Sequence, residues 1–441
     1  MSGRTVDDLQ AIADAIVAEA RPGEQIAAQL VRASETDIRI RNQEIEHFVS
    51  AQSQSVSVTV IQDGRTGSSS AGAFDEASWR EVLAEARENA TFGTPDEFAG
   101  LAEPDGVPVV EQQLWDDELA AYPTEKKIEL AKELERLTLA HDARLRIDDV
   151  NYSDGSTEEA SATTLGIRSS SRSNSCYATV SVLVDDNGET QTGWAYALGD
   201  NPTKFDLAAA AKKAADRATR LLGAVKPASR VTTVVLDPMV TAQFLGIIGS
   251  TLNGESVSKG RSIFADRIGE QVASPLVTLV DDPTDPRSYF AREVDGDGLA
   301  ARRNVLIEGG VLRMFVHDAY SARRMKTKST GNAGGCVALR LVPGTKTQEE
   351  LIADIDDGVL IDSVQGLHSG VNPVSGDFST GASGLIIRGG RTAEPVREFT
   401  IASTLQRMLL DVQEVGSDVD WLPMRAAGVS LVISGVTMSG A

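Results

Sequence analysis

The sequence is poor in the residues that usually announce a chemistry. Its 441 residues hold only four histidines, His47, His141, His317 and His368, and no two of them share metal-ligand spacing. A helix-borne zinc site needs two histidines on one helix face with a glutamate beside the first. Neither His-Glu-x-x-His nor His-Glu-x-x-x-His occurs. The two cysteines, Cys176 and Cys336, are far apart, which excludes a disulfide framework or zinc ribbon and leaves each as a small buried apolar residue. Aromatics make up only 5%, too few for base-stacking platforms. No basic cluster offsets a formal net charge of -22, so direct nucleic-acid binding is excluded. No run approaches the ~20 apolar residues needed to span a bilayer. The first twenty residues read as an amphipathic helix with Asp7, Asp8, Asp14 and Glu19, not as a signal peptide, and a cytoplasmic protein is the default expectation. A Gly-x-Ser-x-Gly elbow and a phosphate-binding Gly-rich loop are missing too: "GESVSKG" has the wrong spacing.

What is present is an ordinary globular composition, 41% hydrophobic and 24% charged. The acidity serves solubility, with a cationic partner surface as the functional alternative. The length exceeds the ~250–300 residues at which single cores stop growing, so two domains are expected. The first, 1–225, contains a weak internal repeat. "SVSVTVIQDGRTGSSSAGAF" reads strand, turn, strand and is followed by the helical "DEASWREVLAEARENA". Then "ATVSVLVDDNGETQTGWAYALGD" repeats the pattern, followed by "KFDLAAAAKKAADRATRLLG". Asp63-Gly64 and Asn187-Gly188 supply the tight turns. An acidic connector, about 91–123, separates the units. The stretch "PTEKKIELAKELERLTLAHDA" reads as a helix with Thr124 as its cap. The boundary falls in "GAVKPASR", where Gly and Pro end a long helix.

Beyond it, 226–441 alternates short β-rich runs with Gly-rich loops. Only Pro238 to Leu252, Thr347 to Ile355 and Ile401 to Val412 read as helical. The fold class is α+β: hairpin-plus-helix units, then a β-rich domain with a curled, mainly antiparallel, barrel-like sheet. His141 sits where it can meet the last carbonyls of a helix, and His317 follows "MFV" on a strand as an outward or satisfied residue. His368 lies in the Gly-flanked loop "QGLHSGVN", a position open to binding. The Gly-rich "TGNAGG" and "STGASG" read as tight turns between strands, or as cradles for a backbone or an anion.

Several stretches of the second half occur in a telling order: "LNGESVSKGRSIFADRIGEQVASPLVTLVDDPT", "EGGVLRMFVHDAYSARRM", "KSTGNAGG", "NPVSGDFSTGASGLIIRGG" and the closing "AAGVSLVISGVTMSG". Together they resemble the TldD/TldE (PmbA, "modulator of DNA gyrase") family, clearly from Thr232 to Ala441 and loosely before it. The resemblance implies a two-subunit cytosolic zinc peptidase. Its TldD-type chains carry His-Glu-x-x-x-His just before a Gly-Asp/Glu-x-Val turn. In this sequence that turn is Gly254-Glu255-Ser256-Val257, and Leu245, Gly246 and Ser250 stand where His, Glu and His would be. None of the three is a zinc ligand of the family's kind. The resemblance is therefore to the TldE-type subunit, a chain with no metal of its own. Zinc is expected in a TldD-like partner, and peptides as substrates. Candidate peptide contacts, from loop composition, are Asn253, Glu255, Asn332, Gly334, Gly335 and His368, with an extended peptide adding to a strand edge. Two alternatives stay open. One is an autonomous hydrolase using His317, His368, Cys336 and nearby carboxylates. The other is a homodimeric peptide-binding scaffold.

Overall fold

The structure is a computed structural model that describes residues 5–441. The chain divides into two compact units. One comprises the chain up to Thr219 together with Gly296–Ala300, and the other comprises Arg220–Asp295 with Ala301–Ala441.

The first unit contains α1 (Val6–Ala18), β1 (Gln25–Arg41), β2 (Glu44–Gln62), β3 (Arg65–Ala71), α2 (Glu76–Phe92), α3 (Asp117–Ala120), α4 (Thr124–Leu139), β4 (Leu145–Thr163), β5 (Arg168–Asp186), β6 (Glu189–Gly199) and α5 (Leu207–Thr219). Its strands form one antiparallel sheet in the order β3-β2-β1-β4-β5-β6. That order is symmetric about the β1–β4 pair: each half is helix, three strands, helix. The repeat read in the sequence is thus a duplication around a pseudo-twofold axis. Both tight turns hold a non-glycine residue and a glycine at positive φ, Asp63-Gly64 and Asn187-Gly188. Both halves also use one packing device. A Cβ on Gly67 would lie 2.1 Å from Ala90 N and 2.3 Å from Ala86 O, and one on Gly193 would lie 2.1 Å from Ala214 O and 2.4 Å from Ala218 N. Only glycine lets α2 and α5 lie so close to β3 and β6.

Even-numbered residues of β1 face the helices. Ile26, Ala28 and Leu30 pack with Leu9, Trp79 and Val82 in one core cluster. Val150, Tyr152, Ala178 and Val180 are buried on the same face of the other half, where α4 and α5 pack. The alternate residues of the central strands face away from the helices.

The second unit contains β7 (Arg230–Leu236), α6 (Pro238–Thr251), α7 (Gly254–Ser258), β8 (Leu279–Asp281), β9 (Asn304–Glu308), β10 (Val311–Leu312), α8 (Ala319–Arg324), β11 (Leu339–Leu341), α9 (Gln348–Ala353), β12 (Asp357–Gln365), α10 (Leu367–Gly370), β13 (Asp377–Arg388), β14 (Arg391–Thr404), α11 (Leu405–Leu410), β15 (Val412–Val415) and β16 (Leu431–Ser439). The large sheet runs β14-β13-β12-β7-β16-β15, and β14 also pairs with β16. Five strands therefore close on themselves as a small barrel, with β15 attached to β16. Only β7–β12 is parallel. A second sheet, β10-β9-β8-β11, carries the loops described below.

Several local expectations are corrected. Thr124 is the first residue of α4 rather than its cap; Pro123 occupies the cap and makes no side-chain cap hydrogen bond. Ile401 to Thr404 extend β14, and the helix begins at Leu405, because the Phe399 and Ile401 side chains are buried in strand alternation. Three further short helices, α7, α8 and α10, lie where loops were read. "STGASG" is no turn: it lies inside β13. A Cβ on Gly384 would meet Leu360 O at 1.8 Å, beside a bulge in β12.

Candidate functional site

The site is built around α6. Asp237 caps it, its carboxylate accepting from Met239 N at 3.1 Å, and Pro238 fills the first helical position. Leu245 is 0% exposed and belongs to the core. Gly246 is exposed, and a Cβ there would meet nothing within 4 Å. Ser250 is exposed and turns its Oγ back to donate to Ile247 O at 2.6 Å. Leu245 has no donor atom, Gly246 has no side chain, and the Ser250 hydroxyl is engaged with its own helix. These residues do not fit a zinc ion.

On its packed side α6 meets a loop. A Cβ on Gly249 would lie 2.4 Å from Leu339 Cδ1 and 3.4 Å from Cys336 Cβ, so the helix backbone rests directly on the segment after "TGNAGG". A network of buried polar groups holds that segment. Asp281, 0% exposed at the end of β8, accepts from Val337 N at 3.0 Å, Ala338 N at 2.8 Å and Asn332 Nδ2 at 2.6 Å. Asp295 accepts from Ala333 N at 2.8 Å. Asn332 Oδ1 accepts from Asn304 Nδ2 at 2.7 Å and Thr330 Oγ1 at 2.8 Å. Arg292 donates to Ala333 O at 3.4 Å and places its charge beside Asp295 and Asp281. Gly334 and Gly335 both take positive φ, which lets the chain turn over this network. Burial pushes the Asp281 carboxyl up from its ordinary pKa, against the two backbone N–H groups and Asn332, which favour its ionised form.

The turn after α6 closes against the same loop. Asn253 caps α7, accepting from Glu255 N at 2.9 Å, and a Cβ on Gly335 would approach Asn253 Nδ2 to 3.0 Å. Gly254 N donates to Val316 O at 2.7 Å. Gly254 also lies flat on His317, where a Cβ would come within 2.1 Å of Nδ1.

Of the sequence candidates, then, the fold gathers Asn253, Glu255, Asn332, Gly334 and Gly335. Glu255 and Gly334 are exposed, and Asn332 and Gly335 are buried. Glu255 pairs with Lys259 one turn on. His368 is not in this group. It is exposed on the single turn α10, after the end of β12, and no hydrogen bond among the described residues ties it to the others. His317 does not stand on a strand: it follows an isolated bridge at Val316 and is buried. Its Nδ1 lies 3.3 Å from Ser321 Oγ, while that hydroxyl donates to Asp318 Oδ1 at 2.6 Å. The serine proton is directed to the carboxylate, not the imidazole, and Gly254 covers the ring, so this trio is no nucleophile and base. Burial lowers the His317 pKa, with Asp318 opposing. Cys336 is buried, its thiol pushed up by burial first and by Asp281 second. Cys176 is buried and free as well. His141 is exposed two residues past the end of α4, and His47 is exposed on β2. Among the described residues no three His, Cys, Asp or Glu side chains gather as metal ligands, so His317, His368 and Cys336 do not form the alternative site.

Sequence reasoning missed Asp281, Asp295, Asn304 and Gly249. The one available signal was the acid pair closing the apolar run "LVTLVDD": a carboxylate at the end of a buried strand needs donors, and the Gly-rich loop supplies them. Chemically the assembly offers backbone groups and amides backed by the buried carboxylates Asp281 and Asp295, with no activated nucleophile among the described residues.

Comparison with known proteins agrees with this architecture. Three successive profiles of one family match: PmbA/TldA metallopeptidase domain 1 at 28–90, the central domain at 117–222 and the C-terminal domain at 229–440. Metalloprotease PmbA of Escherichia coli O157:H7 is 24% identical over 91% of this chain and 90% of its own length. A crystal structure of a candidate modulator of a DNA gyrase from Thermotoga maritima superposes with a TM-score of 0.90 at 25% identity, covering 97% of this chain and 99% of that one. TldE from Thermococcus kodakarensis shares the fold, with a TM-score of 0.88 at 20% identity over 98% and 99% of the two chains. With all three domains matched in order, the chain belongs to the PmbA/TldD metallopeptidase family.

Proposed function

We propose that this chain is the TldE-like, non-catalytic subunit of a two-chain zinc peptidase, and that a TldD-like partner supplies the metal. The observation that supports the reading is α6, where the resemblance would put the family's metal motif and where the chain has a core leucine, a bare glycine and a serine bonded to its own helix. In the partner, zinc would provide an activated water and polarise a peptide carbonyl. This chain would contribute binding. Asn253, Glu255 and Gly334 would hold an extended peptide through main-chain contacts with little side-chain preference, with the buried Asn332 and Gly335 supporting them from beneath, and His368 would contact it only from a separate position. Such a complex suits unfolded and small peptides in the cytoplasm. Direct nucleic-acid binding has no place in it.

The test is metal content and complementation. The chain, purified alone and washed with a mild chelator, should hold far less than one zinc per molecule and leave an unfolded peptide intact. Mixed with a TldD-like chain it should form a stable complex and hydrolyse the peptide. Tightly held stoichiometric zinc in the chain alone would sink the reading. A stable self-assembly that ignores the TldD-like chain would point instead to the homodimeric scaffold.

A further inference from the structure

The helix-free face of the first unit's sheet contains a trough of about 330 Å³ that the function above does not use. Its shape follows from strand register. Ala33 and Thr157 face each other across β1 and β4, and Glu35 and Gly155 do so two residues along. β2 and β5 continue the rows into Ser53 and Ser175. Between the rows lies the backbone of Ser34 and Ser156, whose hydroxyls meet at 2.7 Å on the helix-bearing face. The rows are therefore about 7 Å apart, and the trough crosses four strands, about 14 Å. A helix with its side chains is ~10 Å wide and does not fit. A single extended chain of about four residues does.

The lining selects the ligand. It is rich in hydroxyls, which both donate and accept and so match the alternating N–H and C=O groups of an extended backbone. Gly155 and Ala33 keep the floor low. The lining contains no aromatic ring on which a sugar or a base could stack. Glu35 is its one charged side chain, is exposed, and makes no ion pair among the described residues. The trough lies to one side of the pseudo-twofold axis, which passes through the Ala33–Thr157 pair: Thr157 follows Ala33 in sequence by the same interval as Asn187 follows Asp63. By that interval Glu159 is the counterpart of Glu35, yet it lies outside the trough and accepts from Ser171 Oγ at 3.2 Å. The duplication has left one half with a free carboxylate at the trough and the other half without.

We propose that this trough binds a short extended segment of polypeptide, lying across the strands, with a lysine, arginine or free α-amino group against Glu35. The inference stands apart from the subunit reading, because a chain without partner or zinc chemistry would still present the trough. The test is a fluorescence-anisotropy titration of the full chain with a labelled, end-capped Gly-Ser-Lys-Ser-Gly peptide, its Glu-for-Lys counterpart, and spermidine as competitor. The lysine peptide should bind and the glutamate peptide should not. Glu35→Gln should weaken binding about three- to fivefold, the worth of a partly exposed ion pair. Ala33→Leu, which fills the trough, should remove binding, and Ala51→Leu serves the same purpose if that variant fails to fold. Glu159→Gln should leave affinity unchanged. Equal losses from the two glutamate variants would reduce the effect to diffuse acidity and overturn the proposal. So would binding that survives the filled trough, no binding by the parent chain at millimolar peptide, or spermidine displacing the peptide with the same dependence on Glu35, which would make the ligand a polyamine.

Discussion

Writing His-Glu-x-x-x-His into α6 should create no zinc site, and the three positions should respond differently. Leu245 is fully buried, so Leu245→His removes a core side chain and buries an imidazole with no arranged partner. Loss of the leucine contacts and the unmet polar group together cost about 3–5 kcal/mol. In a domain of this size that lowers Tm by about 10 °C. Gly246 has open space where a Cβ would stand, so Gly246→Glu should gain about 0.5–1 kcal/mol of helix propensity instead. Ser250→His, on an exposed position, should change stability by less than about 0.5 kcal/mol. The triple variant should therefore be destabilised almost entirely through one residue. It should not hold zinc at one equivalent, because position 245 is enclosed in the core while position 250 lies at the surface. Calorimetry of the three single variants and the triple, with metal analysis by mass spectrometry after dialysis, decides the matter. A triple variant with stoichiometric zinc and an unchanged Tm would refute the claim that Leu245 belongs to the core rather than to a vacated ligand position.

Three further outcomes follow from the packing and the charges. Gly67→Ala and Gly193→Ala each drive a Cβ to within 2.4 Å of helix backbone, so each should destabilise the first unit by about 2–3 kcal/mol in chemical denaturation, with similar values because the device is duplicated. Asp281→Ala leaves Val337 N, Ala338 N and Asn332 Nδ2 without their acceptor and should cost about 3–5 kcal/mol; hydrogen exchange should rise first at 332–338. Hydrogen bonds from the Arg287 side chain hold the Asp285 carboxyl below its ordinary pKa despite burial. A depressed carboxyl stabilises the fold above its unfolded pKa, about 3.9, and that contribution is lost as pH falls through the folded value. Asp285→Asn should therefore be the less stable protein at pH 7, with the gap narrowing below about pH 4 in denaturation midpoints taken along a pH series.

Much of the first unit was legible because hairpins write themselves locally. Asp63-Gly64 and Asn187-Gly188 with alternating residues on either side gave both turns, and the apolar spacing of Val82, Leu83 and Ala86 gave α2. The long strands β1 and β4 were not legible. Their middles are rich in serine, threonine and acids, as in "SETD" and "SDGSTEE", because one face there is free of helix and the other meets α4 through polar groups, Lys127 on Asp154 and Thr36, so nothing apolar marks them. In the second unit the strand-rich texture predicted a curled sheet, but barrel closure depends on the pairing of Thr400–Ala402 with Thr437–Ser439, a contact between distant stretches that no local pattern announces. Asn253, Glu255, Asn332, Gly334 and Gly335 could be named as loop residues, and the fold brings them together. The carboxylates beneath them could not, since an aspartate in an acid-rich chain carries no mark of burial.

That buried network explains how a metal-family scaffold can hold its shape at a position with no metal ligands. A site whose geometry depends on its ion collapses when the ligands are replaced, because the ion supplies the binding energy. Here the loop facing α6 is fastened by Asp281, Asp295, Asn304 and Thr330 through hydrogen bonds that involve no metal. Leu245, one turn before Gly249 and on the same side of the helix, is closed into the core. That side is therefore set by groups that lie outside positions 246 and 250, and those two positions are exposed. Positions 246 and 250 are thus distinct from the residues that hold the backbone, while position 245 is part of the core. Gly246 contributes nothing to the packing and is less favourable in a helix than a glutamate would be. A change at Asp281, with no role in any metal chemistry, should damage the loop that packs on α6 more than any change at Gly246 or Ser250.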